Sequence, residues 1–310
     1  MARRLIGVDV GGTKVAVAPL DGATLLEPVL APTDTTSAEA LVAQLVGAVR
    51  AAGDAHRGGV PSVVDWETGR IRSSVNIPLH DVPLREVLRA ELGIPVFVDN
   101  DATCAALAEA YGDDGALVAR HLVMFTVGTG VGGGIVIGGR VYRGATGAAA
   151  EIGHTLVGAD LRRAPFHRID DFPQPGSLES LASGSALNEI AAGRQALRGR
   201  VIEAARDGDP AALVAIELLG RRLGIGIANA INVFDPDLVV VGGGVSVAGE
   251  LLLAPAREEA GRYRLTGVGT RTEIRRARYG PLAGVRGAAL LAGHELEAER
   301  AEAARAAEIA

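Results

Sequence analysis

Short runs of small aliphatic residues alternate along the chain with stretches whose apolar positions recur every three or four residues. The segment "LIGVDVGGTKVAVAPLDG", residues 5–22, reads as two strands around a turn of two glycines, a threonine and a lysine. Residues 37–52, "SAEALVAQLVGAVRAA", are apolar at 41, 42, 45, 46 and 49, a helical stripe with Ser37 as its cap. "VPLREVLRAELG" predicts a helix ending at Gly93, "IPVFVDND" a short buried strand ending in acids, and "ATCAALAEAYG" a helix of small residues. Strand, glycine turn, strand, helix, strand, helix is the order of an α/β domain.

Near residue 120 the pattern restarts. "HLVMFTVGTGVGGGIVIGGRVYRG" is strand, glycine-rich turn, strand, turn, a weak echo of the opening segment. Two such halves predict a duplicated domain with a cleft between its parts. The expected division is an N-terminal α/β domain over 1–118 and a C-terminal one over 119–287, with a helix from about 288 to 310 packing back on the first. Residues 158–177 are irregular and polar. "SLESLASGSALNEIAAG" and "DPAALVAIELLGRRLGIGIANAINVFDP" predict helices. "DLVVVGGGVS" predicts a buried strand with a glycine turn at its C-terminal end, where ligands sit in open α/β sheets.

Composition narrows the function. A length of 310 residues suits two domains. Aromatics are scarce at 3%, and the net charge of -6 argues against nucleic acid or an anionic membrane as partner. Cys104 is the one cysteine, so neither an internal disulfide nor a multi-cysteine metal cage can form. The N-terminus has no apolar leader core, and no run of 18 apolar residues occurs, which predicts a cytoplasmic protein.

Asp9 sits inside an apolar run, where an unpaired charge is costly; a phosphate with its metal ion would justify it. In "DVGGTK" the glycines let backbone N–H groups point at an anion, and Thr13 and Lys14 add donors. The turn is not a Walker loop, and "GTGVGG" is not a dinucleotide fingerprint, because a strand follows it. Three glycine turns at strand ends, 11–12, 128–134 and 242–244, together point to a nucleotide. Asp99, Asn100 and Asp101 in "VDNDA" stand at a strand end before a helix. One of them can cap the helix, and all three are not needed for that. A carboxylate so placed could take a proton from an attacking hydroxyl, a contribution of about 10²–10⁴-fold. Glu151 and His154 in "AEIGH" form a pair that, alone, is more often structural than catalytic.

Five segments resemble, in order and spacing, the ROK family of bacterial sugar kinases and sugar-responsive repressors, within the actin/hexokinase-like superfamily. They are "IGVDVGGTKVAVAPLDG", "VFVDNDATCAALAEA", "FTVGTGVGGGIVIGGRVYRGATGAAAEIGH", "GSLESLASG" and "GIANAINVFDPDLVVVGGGVS", and the resemblance runs from about residue 4 to 292. It implies two actin/ribonuclease H-like α/β domains, an ATP–Mg²⁺ site in the cleft, and phosphoryl transfer to a sugar hydroxyl, C6 by default. Asp9, Gly11, Gly12, Thr13 and Lys14 fall on the first phosphate motif, with Asp9 holding Mg²⁺ through water. Gly128, Thr129 and Gly130 match the second phosphate turn, and Gly242, Gly243 and Gly244 the glycines near the adenosine. Asp101 matches the catalytic base, and Asn76, Asn100, Glu151, His154 and Glu179 match positions that hold the sugar hydroxyls. Phosphoryl transfer needs positioning, charge neutralisation and one base, which this set supplies. A homodimer is the family habit.

The sequence departs from the family in three places. Most members carry C-x-C-G-x-x-G-C-x-E after the E-x-G-H motif, binding a structural zinc with that His. Here Ser177 stands where the last Cys would be, and His154 and His167 alone cannot build the site, so no structural zinc is expected. Ser62 replaces the usual Gly beside the sugar. The replacement loop carries Asp170 and Asp171, either a solvated acidic turn or a partner for a cationic amino group. The second alternative would make the acceptor an amino-hexose such as kanosamine rather than glucose. Two other functions compete. A repressor of this family carries a helix-turn-helix domain before the first phosphate motif, which here begins within the first ten residues. A non-catalytic sugar-binding sensor would have no need of Asp9, Lys14 and Asp101. No extended basic track suggests polyphosphate as donor.

Overall fold

In the computed structural model the described residues are 4–52, 58–61, 64–65, 68–71, 77–158, 172–192, 197 and 199–309. They form two units, Met1–Val118 with Val136–Ala149 and Pro281–Ala310, and Ala119–Ile135 with Ala150–Gly280.

The first unit begins with the glycine-turn hairpin, β1 (Leu5–Val10) and β2 (Lys14–Asp21), paired antiparallel with Asp9 opposite Ala16. Two short strands, β3 (Thr24–Leu25) and β4 (Val29–Pro32), both pair with β2. Helix α1 (Ala38–Ala51) is capped as expected, Ser37 Oγ accepting from the Ala40 N–H. Strand β5 (Gly58–Pro61) is followed by the ribbon of β6 (Val64–Asp65) and β7 (Arg70–Ile71). Helix α2 (Leu84–Leu92) ends at Gly93, whose φ of 67° lies in the left-handed region that glycine tolerates. Strand β8 (Val96–Asp99) then leads into helix α3 (Asp101–Ala110).

The sheet order is β3-β2-β1-β5-β8, with β1, β5 and β8 parallel. Ile6, Val8, Val15 and Val17 pack with Leu41 and Leu45 of α1 and Leu84 and Leu88 of α2 in one core. Apart from Asp101, every residue of α3 is buried, which is why the helix is built of small residues all round.

The second unit contains β9 (Leu122–Val127) and the start of β10 (Val131–Ile137), with β11 (Arg140–Val141) closing the hairpin. The predicted helix over 177–193 is two helices, α4 (Leu178–Ala182) and α5 (Gly184–Ile190). Ser183 ends the first and caps the second, its Oγ accepting from the Ala186 N–H. Helix α6 (Val201–Arg206) leads to α7 (Pro210–Phe234), which starts with Asp209 as cap and proline in the first turn. Strand β12 (Leu238–Gly242) follows, then α8 (Glu250–Tyr263) and β13 (Glu273–Arg276).

β12 lies parallel to both β9 and β13. Val123, Phe125, Val239 and Val241 pack with Leu219, Leu223 and Ile227 of α7 in the second core. Helices α7 and α8 touch through glycine. A Cβ on Gly220 would lie 2.5 Å from the Leu252 carbonyl, and one on Gly224 the same distance from that of Ala256. The room at Gly220 also admits the ring of Pro255, inside α8.

Helix α9 (Ala283–Ile309) belongs to the first unit. It lies on β1 and α3 at backbone contact: a Cβ on Gly7 would fall 1.7 Å from the Val285 carbonyl, and one on Gly287 1.7 Å from that of Cys104. Both obstacles are backbone, so neither can step aside. Gly287→Ala is therefore expected to destabilise the protein by about 3 kcal/mol or more. Gly261→Ala in α8, where a Cβ meets nothing within 4 Å, is the control. It should be neutral or stabilising by about 0.5–1 kcal/mol through helix propensity. Urea unfolding of the two variants beside the parent checks both signs.

Candidate functional site

The first unit gathers its candidate residues at the C-terminal ends of parallel strands. Asp9 is the penultimate residue of β1, Gly11, Gly12 and Thr13 form the turn, and Lys14 opens β2. The Gly11 N–H donates to the Lys14 carbonyl at 2.9 Å, and Thr33 Oγ1 donates to the Gly11 carbonyl at 2.6 Å, so the turn is fastened from within and from β4's end. Neither Gly11 nor Gly12 adopts positive φ. Both are half-buried, and Thr13 and Lys14 are exposed beside them.

Two strands away, β8 ends at Asp99. Asn100 caps α3, its Oδ1 accepting from the N–H groups of Ala102 at 2.9 Å and Thr103 at 3.3 Å. Its amide Nδ2 is the part left to reach a ligand. Asp101 is the first helical residue, exposed, with Oδ1 accepting from the Ala102 N–H at 2.8 Å. Asp101 also acts on Asp9. Burial and the like charge of Asp101 push the Asp9 carboxyl up to about 6, against the pull of Lys14.

Space for the Asp9 carboxylate comes from Gly284 of α9, where a Cβ would stand 2.6 Å from Asp9 Oδ2. A buried carboxylate raised by its surroundings, next to a turn that exposes Thr13 and the Lys14 ammonium, is an oxygen donor suited to a hydrated divalent cation shared with phosphates. No group of three His, Cys, Asp or Glu side chains among the described residues makes a protein-only metal cage. The residues therefore fit Mg²⁺ held through water and substrate phosphate.

The second unit assembles the other half of the set. Register places Val241 of β12 beside Phe125 of β9 and Gly242 beside Thr126, so the turns 128–130 and 242–244 leave adjacent parallel strands side by side. The first is closed by Gly128 N–H to the Gly130 carbonyl, 2.9 Å. In the second, Gly243 has φ 82°, and a Cβ there would fall 2.4 Å from the Val127 carbonyl, so glycine is required twice over. Gly184 at the start of α5 donates to the Gly128 carbonyl at 2.7 Å, and Ser185 Oγ to that of Thr129 at 2.9 Å. Beyond Gly184 and Val245 opens a pocket of about 230 Å³, lined also by Leu187, Asn188, Ile202 and Val247. Arg200, Glu203 and Arg206 also line it, and a pocket of mixed apolar and charged walls beside a glycine turn suits a nucleoside.

Glu179 of α4 is braced on the same turn. Its Oε2 accepts from the Val131 N–H at 2.8 Å, and a Cβ on Gly130 would lie 2.3 Å from that oxygen. Glu151 and His154 flank a single 3-10 turn, with Glu151 Oε2 and His154 Nε2 3.8 Å apart. Gly153 and Gly133 let this turn sit against the start of β10; a Cβ on Gly153 would be 2.0 Å from the Val131 carbonyl. Val131 thus ties Glu179, Glu151 and His154 to one glycine turn. His154 stands edge-on to Phe172, ring centroids 5.4 Å apart, and its Nδ1 is buried without a hydrogen-bond partner among the described residues. Ser177, at the position of the family's last zinc cysteine, is buried and caps α4, its Oγ accepting from the Ser180 N–H at 3.2 Å.

Ser62, Asn76, His167, Asp170 and Asp171 lie outside the described residues. Sequence reasoning missed Gly184, Gly284 and the pocket behind α5. Their role is set by partners more than 50 residues away in the chain, and only the spare glycines hinted at close approach.

A family model described as the ROK family matches residues 5–295. A glucokinase of Streptomyces coelicolor is 35% identical over 315 residues, covering 93% of this chain and 96% of its own. A solved ROK hexokinase from Thermus thermophilus gives a TM-score of 0.78 at 34% identity, over 95% of this chain and 99% of its own. A ROK family glucokinase from Streptomyces griseus, solved with glucose and AMPPNP, gives 0.75 at 33% identity over 94% and 99%.

The raised Asp9 pKa has a measurable sign. A carboxyl titrating near 6 when folded and near 3.8 when unfolded opposes folding only while ionised. The opposition is absent below about pH 4, grows between about pH 4 and 6, and is complete above. Without ligand, Asp9→Asn should raise the Tm at about pH 7.5 and leave it unchanged near pH 4. It should also lose most of the stabilisation that Mg²⁺ with ATP gives the parent. Thermal denaturation across this range reads both, and a Tm gain of the same size at both ends would count against the assignment.

Proposed function

We propose that this chain, which belongs to the ROK family, is an ATP-dependent hexose kinase that phosphorylates glucose at the C6 hydroxyl, with Asp101 as general base. The observation that carries this reading is the Asp9–Asp101 pair, two carboxylates on one sheet edge in a chain that matches a glucokinase over nearly its whole length. One carboxylate beside a phosphate turn and one at a helix start are the two charges that phosphoryl transfer divides between metal and nucleophile.

Asp101 keeps Oδ2 for the attacking hydroxyl while Oδ1 rests on the Ala102 N–H, which fixes the direction in which the proton leaves. Asn100 offers Nδ2, Glu151 and His154 an acceptor and a ring nitrogen, and Glu179 its second oxygen, as the set that reads hydroxyl orientation. Paired hydrogen bonds of this kind reject a wrong sugar because each leaves a buried polar group unmatched. The amides of Gly12 and Thr13 and of Thr129 and Gly130, which the turn-closing bonds of Gly11 and Gly128 leave over, hold phosphate oxygens, and the pocket behind Gly184 takes the adenosine. Asp9 would hold Mg²⁺ through water, and the ion would supply neutralisation of the charge on the phosphates.

ADP release from ATP–Mg²⁺ is the first test, with glucose, mannose, fructose, N-acetylmannosamine, glucosamine and 3-amino-3-deoxyglucose as acceptors. Glucose is expected to give the highest kcat/KM. A preference for an amino-hexose would move the reading to the acidic insert, and sugar binding without turnover would make the protein a sensor. Asp101→Asn should then lower kcat by about 10²-fold or more, with sugar affinity little changed. Equal losses in binding and turnover would make Asp101 a ground-state ligand instead.

A further inference from the structure

We propose that Arg143 is a positioning residue for the strand end that carries Asn100 and Asp101, an inference whose catalytic part rests on the kinase reading above. Arg143 lies just after β11, its side chain only 15% exposed. Its Nε donates to Asp99 Oδ2 at 2.6 Å and its Nη2 to Glu295 Oε1 on α9 at 2.7 Å. Asp99, 4% exposed, uses its other oxygen to accept the Asn100 N–H at 2.8 Å. One line of bonds therefore runs from α9 through Arg143 and Asp99 to the backbone of the residue that caps α3.

The place of Asp99 explains why such a line is needed. Among the described residues β8 is the last strand in the sheet order, and on its outer side no described strand pairs with it to hold its end. The strand end has to be set by side chains, and a charge-assisted bond with fork geometry sets direction as well as distance. The Asp99 carboxylate accepts on both oxygens, from Arg143 Nε and from the Asn100 N–H. Arg143 also accepts the Ala149 N–H on its own carbonyl at 3.0 Å, closing the loop that leads to Glu151. Displacing a reacting group by a fraction of an ångström is enough to lower a rate by about 10- to 100-fold without removing any catalytic atom.

Arg143→Met alone leaves a buried carboxylate unpaired and risks unfolding. The double variant Arg143→Met/Asp99→Asn removes the charge with its partner and keeps the test open. In the double variant, folded by circular dichroism, kcat for the preferred sugar is expected to fall at least about tenfold while the KM for ATP stays within about twofold. Amide exchange at Ala102 and Thr103 is expected to quicken at least about tenfold, with the amides of α7 unaffected. Parental kcat in the double variant overturns the proposal, because Arg143 then only balances a buried charge. Unchanged exchange at Ala102 and Thr103 overturns it too. If the parent phosphorylates no sugar, the kinase reading falls by itself, and the exchange measurement still decides whether Arg143 holds the strand end.

Discussion

Backbone contact between helix α9 and the elements beneath it is the constraint on which the first unit depends. Val285 can approach β1 only because position 7 has no side chain, and α9 can approach the Cys104 carbonyl only because position 287 has none. That closeness decides what else the helix can reach. It puts Gly284 against the Asp9 carboxylate and, further along, brings Glu295 to Arg143. A helix held farther off by ordinary side chains would touch neither group. The candidate acid residues of this unit are therefore placed from the far end of the chain, by packing density rather than by local sequence.

Much of this was legible beforehand, and the reason is local chemistry. Ser37, Gly93 and the small residues of 101–110 announce a cap, a helix end and a buried helix through rules that act within a few residues. The glycine turns were visible for the same reason, although the use of their glycines was not. Gly243 needs a left-handed backbone, whereas Gly11 and Gly12 do not. Helix α8 escaped notice because Pro255 reads as a breaker, and only Gly220, 35 residues earlier, shows where its ring can go. Strand β13, with only Ile274 apolar among its four residues, offers no alternation to detect.

Asn100 shows how far one residue can be read from sequence. A capping role and a ligand-binding role were both open for the acids and amide of "VDNDA", and the geometry gives the cap to the Asn100 side-chain oxygen alone. Its oxygen is consumed by the helix start, which fixes the amide that remains. Glu179 repeats the arrangement: one oxygen is spent on the Val131 N–H, so the other points where the backbone dictates. Rigid donors and acceptors of this kind are what a site needs to distinguish isomers that differ in one hydroxyl.

The first unit is assembled from three separate stretches of chain, and the last of them begins at Pro281, after every residue of the second unit has been made. On a ribosome the polypeptide emerges in order, so the second unit can complete its fold while β1 and α3 still lack the helix that covers them. The strand bearing Asp9 and the buried helix behind it must wait, apolar and uncovered, until α9 leaves the exit tunnel. During that interval the nascent chain presents the surface most in need of a chaperone, and a message truncated shortly before the α9 codons would yield a protein with one finished half and one sticky one.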